Sequence, residues 1–416
     1  MIRTVHRAKY VLAEPDLLLK DAAVHVSDPG RISRIEPWNS PPAHLPVEVV
    51  DWGPAVIMPG LVNAHTHLEL TSLRNELTQF SSFSDWISQL VSRRRLWSRG
   101  DFSKSIREGA RQALASGTTM IGDISSSGIG FVAARNAALR RVIFEEVMAL
   151  SHDQAEDALC RLEPILETED PGGLLEHGIS PHSPYTVSPE LYRRATELAR
   201  RKKILLATHV AETREEREFL QEGTGDLRNF AIAAGSFPDG WNPPGLPPIP
   251  YLDSLGVLGP NCLLIHCNYL DSESMSRILK ARSSVVYCPR SHDFFGHPEH
   301  PIRQLLDFGV NVALGTDSLA SNFSLSMIDE MRFLYKKRKD LRAEEILRAA
   351  TLNGAAALGN GAGIGRLRRG FWADMTVIGL PPNLGSRQLA NQVLEGAGEC
   401  LATIVQGQIA WRKEAV

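Results

Sequence analysis

The sequence predicts an α/β fold, a (β/α)8 TIM barrel with a small β-sandwich domain built from both chain ends. Three observations predict it. The middle of the chain alternates eight buried strand-like runs with amphipathic stretches. Both ends carry short β-like runs separated by turn residues. Side chains able to hold a metal recur where the middle runs end. A barrel takes about 250 residues as one domain, so 416 residues leave room for one barrel and one smaller domain. The expected division is a composite sandwich over 1–58 and 364–416, with the barrel over 59–363.

At the N-terminal end, residues 22–26, 31–35 and 47–50 read as strands, with Asp28-Pro29-Gly30 as a turn between the first two. Val56 to Val62 is an apolar run interrupted by Pro59-Gly60 and reads as a short buried strand with a turn. At the C-terminal end, 373–378, 402–405 and 408–411 read the same way. The barrel strands are expected at 61–68, 118–124, 141–148, 178–182, 204–209, 262–266, 284–288 and 311–315. Amphipathic stretches such as 102–116, 189–202 and 273–282 lie between them and read as the outer helices. From Glu222 to Leu258 six prolines predict a stiff, non-helical excursion. Its aromatic residues, Phe237, Trp241 and Tyr251, suit a cover over a substrate.

Composition narrows the class. Charged residues are 22% and hydrophobic residues 43%, as in soluble globular chains. A net charge of −3 leaves no nucleic-acid footprint. No run approaches the roughly 20 apolar residues of a spanning helix, so no membrane partner is expected. The five cysteines include no C-x-x-C pair and are odd in number, which points to a reducing cytoplasm. Oligomeric state is not legible, and a homodimer is compatible with the sequence.

His65-Thr66-His67 is the most informative motif. Two histidines two apart on a strand share a face, and neutral imidazoles suit zinc, iron and related ions. Catalytic groups of such barrels sit at the C-terminal ends of strands. The first expected strand ends in His65 and His67, the fourth in His182, the fifth in His209, the sixth in His266 and the eighth in Asp317. Each alone reads as a hydrogen-bonded polar residue. Five of eight ends together point to a metal site.

Pro59 to His67, Gly315-Thr316-Asp317 and Gly370-Phe371-Trp372-Ala373-Asp374 resemble motifs of the amidohydrolase superfamily, over almost the whole chain. The resemblance implies one divalent metal per chain, zinc first and iron or manganese as alternatives, held by His65, His67, His209 and Asp317. It also implies that His266 bonds the attacking hydroxide. Dinuclear members bridge two ions with a carboxylated lysine, and no lysine occurs between Lys104 and Lys202. A single ion is therefore expected. Glu145 and Glu146 are the remaining bridging candidates, more simply read as surface or ion-paired residues.

A bound divalent ion lowers the pKa of water to about 7. Asp317 can take the released proton, and Glu212, in His209-Val210-Ala211-Glu212, can carry one to the substrate. The His-x-x-Glu pattern resembles the deaminase branch, in which a hydroxide attacks a ring carbon and ammonia leaves. His182 resembles the histidine that orients substrate in that branch. Cys288-Pro289-Arg290-Ser291 resembles the seventh-strand motif of S-adenosylhomocysteine/methylthioadenosine deaminases, aminofutalosine deaminases and triazine chlorohydrolases, with His292 standing where those have Asn. The implied substrate is a small molecule, a 6-aminopurine nucleoside with a modified 5′ group. Aminofutalosine, of menaquinone biosynthesis, is favoured. An s-triazine or pterin-type ring, or a cyclic amide, is the alternative. Glu69 is expected to meet ribose hydroxyls or to support the metal ligands. Arg290 or His292 is expected to meet a carboxylate, and Trp241 to cover the substrate.

Overall fold

The computed structural model describes residues 2–38, 47–133, 135–170, 172–385, 389–396 and 398–414. The N-terminal strands are β1 (Ile2–Glu14), β2 (Leu17–Ser27), β3 (Arg31–Pro37), β4 (Glu48–Asp51) and β5 (Ala55–Pro59). The barrel strands follow as β6 (Leu61–Thr66), β7 (Thr118–Ser125), β8 (Arg140–Val147), β9 (Leu175–Pro181), β10 (Leu205–Val210), β11 (Cys262–His266), β12 (Ser284–Tyr287) and β13 (Val312–Leu314). The chain returns through β14 (Met375–Gly379), β15 (Glu399–Val405) and β16 (Gln408–Arg412).

Both ends meet in one mixed sheet of order β16-β15-β14-β5-β1-β2-β3, with β4 beside β1. β1 escaped the sequence reading because Arg3, Arg7 and Lys9 interrupt its apolar residues. Val5, Ala8, Tyr10, Val11 and Leu12 are nonetheless buried. β5 carries the alternation of a two-faced strand. Ala55 and Ile57 face the core of this sheet, while Val56 and Met58 pack into the large cluster that includes the barrel's helices. The apolar run 56–62 is thus two strands, and Pro59-Gly60 hands the chain from the end sheet to the barrel. A Cβ at Gly60 would stand 2.1 Å from Thr119 Oγ1, so only glycine permits that close passage.

β6 to β13 pair in sequence order as a parallel sheet that curls into a nearly closed barrel. All eight expected barrel strands are present, with ends shifted by a few residues. The seam between β13 and β6 is stitched by the Thr316 and Asp317 N–H groups, each donating to His65 O at 3.1 Å. Val62, Ala64, Met120, Val142, Phe144, Ala207, Leu263, Val286 and Ala313 fill the interior. A register irregularity between Asn63 and Thr66 switches the parity of β6. His65 and His67 therefore turn to the barrel mouth although Val62 and Ala64 face the interior.

The proline-rich excursion corrects one expectation, because it contains the helices Asp226–Ala233 and Pro248–Ser254. Pro247 and Pro248 occupy the N-terminus of the second, where a missing N–H leaves no bond unmade. Among the described residues no helix is long and apolar enough to cross a membrane.

Candidate active site

The strand ends deliver His65, His67, His209, His266 and Asp317 to one point at the barrel mouth. His65 is fully buried, and neither ring nitrogen has a hydrogen-bond partner among the described residues. Its Nε2 lies 3.4 Å from Asp317 Oδ1, and His67 Nε2 lies 3.6 Å from the same oxygen. Ring centroids of His65 and His209 are 5.0 Å apart. Metal–nitrogen bonds of about 2.0–2.1 Å set ligand-to-ligand spacings of ~3.4 Å in a tetrahedral site. An orphaned buried imidazole beside a carboxylate at that spacing fits a metal ion. Burial, with the neighbouring histidines, holds His67 and His209 well below the usual imidazole range, so both offer neutral nitrogens.

His209 Nδ1 lies 3.1 Å from His182 O, which leaves Nε2 for the ion. The ligating atoms of His65, His209 and His266 lie within 4.8 Å of one another, as do those of His65, His67 and Asp317. Glu146, His182 and His209 form a third such trio. His209 has one free nitrogen, so that trio and the first site cannot both use it. This geometry favours one ion.

Glu212 Oε1 lies 3.3 Å from His266 Nε2. Burial, and then the charges of Asp317, Glu216 and Glu215, push the Glu212 carboxyl well above the usual range. A carboxyl raised in this way is suited to carrying a proton. Helix capping does not explain it. Thr213 caps the helix Arg214–Glu222, and Glu216 accepts the Glu212 N–H at 2.9 Å. Ala211, His266, Cys267 and Asp317 all have positive φ, from 51° to 73°. Such left-handed geometry costs about 1–3 kcal/mol in a non-glycine residue and collects where function needs it.

A cavity of about 150 Å³ opens over these groups. Its polar lining includes His67, Arg94, Glu146, His182 and Glu212, and its apolar wall includes Phe83, Trp86 and Phe230. His182 Nδ1 is 2.7 Å from Thr186 Oγ1, so its Nε2 faces the cavity.

Residues 56–410 match the model of the amidohydrolase family. The chain belongs to the amidohydrolase family. It is 30% identical over 412 residues to 5-methylthioadenosine/S-adenosylhomocysteine deaminase of Nitratidesulfovibrio vulgaris, covering 95% of this chain and 88% of that one. It is similar in structure to an adenosine deaminase from Xanthomonas campestris solved with bound zinc, with TM-score 0.86 and 25% identity over 98% of this chain and 92% of that one. The fold also matches Helicobacter pylori aminofutalosine deaminase, with TM-score 0.86 and 24% identity over 98% of this chain and all of that one.

In this amidohydrolase the remaining expected site residues fall elsewhere. Glu69 is 2% exposed and bonds Arg94 and the Ser126–Ser127 turn, so neither a ribose nor a metal ligand meets it. Arg290 is taken up by Glu330 at 2.8 Å and Ser324 O at 2.7 Å. His292 is buried among Tyr287, His297 and His300. Trp241 stacks on Phe219 at 4.6 Å, and Phe230 supplies the aromatic cover from that stretch instead. Glu145 and Glu146 are not surface or ion-paired residues. Glu145 is 3% exposed, Glu146 lines the cavity, and each has an Oε1 with no partner among the described residues. The common cause is that side-chain direction in loops and at strand ends depends on packing that motif spacing does not carry.

Sequence reading missed several supports. Ser291 Oγ donates to Asp317 Oδ2 at 2.7 Å, and Ser321 Oγ does so at 2.9 Å. His300 Nε2 lies 2.9 Å from His266 O, under the left-handed turn. Ser291 was legible as the last residue of Cys288-Pro-Arg-Ser, whereas His300 carried no signal. Groups that orient metal ligands typically contribute about 10–100-fold in metal affinity or activity. Ser291→Ala is expected to weaken metal retention within that range, read by competition with a chelator. Unchanged retention would leave Ser291 as a packing residue only.

Proposed function

We propose that this amidohydrolase is a metal-dependent hydrolytic deaminase of a 6-aminopurine nucleoside with a modified 5′ group. Aminofutalosine stands first, then methylthioadenosine and S-adenosylhomocysteine. The carrying observation is the buried Glu212 carboxyl, raised well above its usual range and 3.3 Å from His266, beside a ligand set it does not join. The names of the relatives above support the same reaction class. His65, His67, His209 and Asp317 would hold one divalent ion, with zinc first. When bound, that ion supplies the acidification of water, from its bulk pKa to about 7.

The chain's own groups do the rest. His182 orients the ring from the cavity wall. Glu212 gives its proton to the ring nitrogen next to the amine-bearing carbon, and that carbon becomes electrophilic. His266 holds the attacking oxygen, and Asp317 accepts its proton. The carbon–oxygen bond forms, a second proton reaches the exocyclic amine through Glu212, and the carbon–nitrogen bond breaks. Water and amine are thereby exchanged for an oxo group and ammonia. At about 150 Å³ the cavity is small beside the ~300–1,000 Å³ of ordinary ligand sites. Phe83, Trp86 and Arg94 of the helix Phe83–Arg94 line it.

Ammonia release from a panel of 6-aminopurine nucleosides, an s-triazine and a pterin tests this reading. The nucleosides are expected to give the highest kcat/KM. A triazine or a free base far ahead of every nucleoside would overturn the substrate class and leave the metal site standing.

A further inference from the structure

Arg94 ends the helix Phe83–Arg94 and is, among the described residues, the one lysine or arginine lining the cavity. A cation in the last turn of a helix is favoured wherever it points, so placement alone says little. Its neighbours say more. Glu69 Oε1 accepts from Arg94 Nη2 at 2.9 Å and from Ser126 Oγ at 2.5 Å. Glu69 Oε2 accepts the Ser126 and Ser127 N–H groups at 3.2 and 3.1 Å. A carboxylate filled by four donors is a fixed support, and it holds one edge of the guanidinium.

Of that guanidinium only Nη2 meets hydrogen-bond acceptors among the described residues, Glu69 Oε1 and Ser126 Oγ. Arg94 Nε is buried without a partner, and among the described residues no acceptor meets Nη1. A guanidinium carries five N–H donors in a rigid fork, and unpaired donors away from water are costly. Glu146 Oε1, also lining the cavity, is buried and unpartnered too.

We propose that Arg94, braced by Glu69, is the receptor for a carboxylate on the substrate's 5′ substituent. This rests on the deaminase reading and narrows it to acid-bearing nucleosides. One carboxylate matches the unused donors of one half-used guanidinium. A phosphate would bring up to two charges to a cation already half neutralised by Glu69. The role replaces the one expected of Arg290, whose guanidinium Glu330 occupies.

S-adenosylhomocysteine and its decarboxylated amine differ only in the carboxylate, and both would be given to the metal-loaded protein. The expected kcat/KM ratio is about tenfold or more in favour of the acid, because hydrogen bonds between ionised groups are the strong ones. Arg94→Met should bring the ratio near one. Arg94→Lys should retain part of it, since a point charge lacks the fork. A wild-type ratio near one overturns the proposal whatever the variants do, and so does a ratio that Arg94→Met leaves unchanged. If the wild type deaminates neither probe, S-adenosylhomocysteine is not its substrate, the nucleoside panel alone judges the deaminase reading, and calorimetric Kd values for the same pair decide the receptor. A tenfold Kd preference lost in Arg94→Met supports it, and equal Kd values or no binding of either probe overturn it.

Discussion

His65→Asn is expected to leave the purified protein without its metal ion and with activity at background. His65 is fully buried, shares both metal-capable trios that involve Asp317 or His266, and has no protein hydrogen bond to lose. The substitution removes a ligand and leaves the surrounding packing in place. A metal contributes several kcal/mol of charge stabilisation to a hydrolytic transition state, and about 1.4 kcal/mol is a factor of ten. The expected loss in kcat is therefore at least about 10³-fold. Elemental analysis should find about one equivalent in the wild type and almost none in the variant, with circular dichroism showing the fold intact. Full retention of metal would remove His65 from the ligand set. Two equivalents in the wild type, both needed for activity, would overturn the mononuclear reading and bring Glu146 and His182 back as ligands.

Glu212→Gln is expected to keep metal and fold and lose about 10²–10⁴-fold in kcat, the usual worth of a positioned proton donor. The amide is isosteric and can still donate a hydrogen bond to the substrate or to His266, so KM should move little. What it cannot do is pass a proton and take it back. Burial and the like charge of Asp317 raise the Glu212 carboxyl well above its usual range in the wild type, and the amide keeps its size and place. Activity within a few-fold of wild type, at unchanged metal content, would sink the acid–base role. Comparing the two variants separates the chemistry. The first loses metal and rate together, and the second loses rate alone.

The eight barrel strands and the metal-capable strand ends were readable in the chain itself. A strand buried on both faces must be a continuous apolar run, and a ligand must be one of a few residue types. Both constraints act on residue identity, which is what a sequence records. β1 was not readable, because Arg7 and Lys9 interrupt its apolar residues, and its burial comes from pairing with β2, β4 and β5. The fate of the Glu69, Arg94, Arg290, Glu146 and Trp241 side chains was also outside the sequence. Arg94 and Arg290 are both arginines near the barrel mouth, and either could serve a carboxylate by residue type. Only the fold places Glu330 against one and an open cavity beside the other. His65 and His67 show the same division in a single strand. Their spacing sets which residues can share an ion, and the register irregularity in β6 decides that they face the mouth. Local identity determined the chemistry available to this protein. Which groups are left unpaired, and so can meet a substrate, was decided by contacts between separate segments, such as Arg94 with Glu69 and Arg290 with Glu330, since pairing is a property of three-dimensional neighbours.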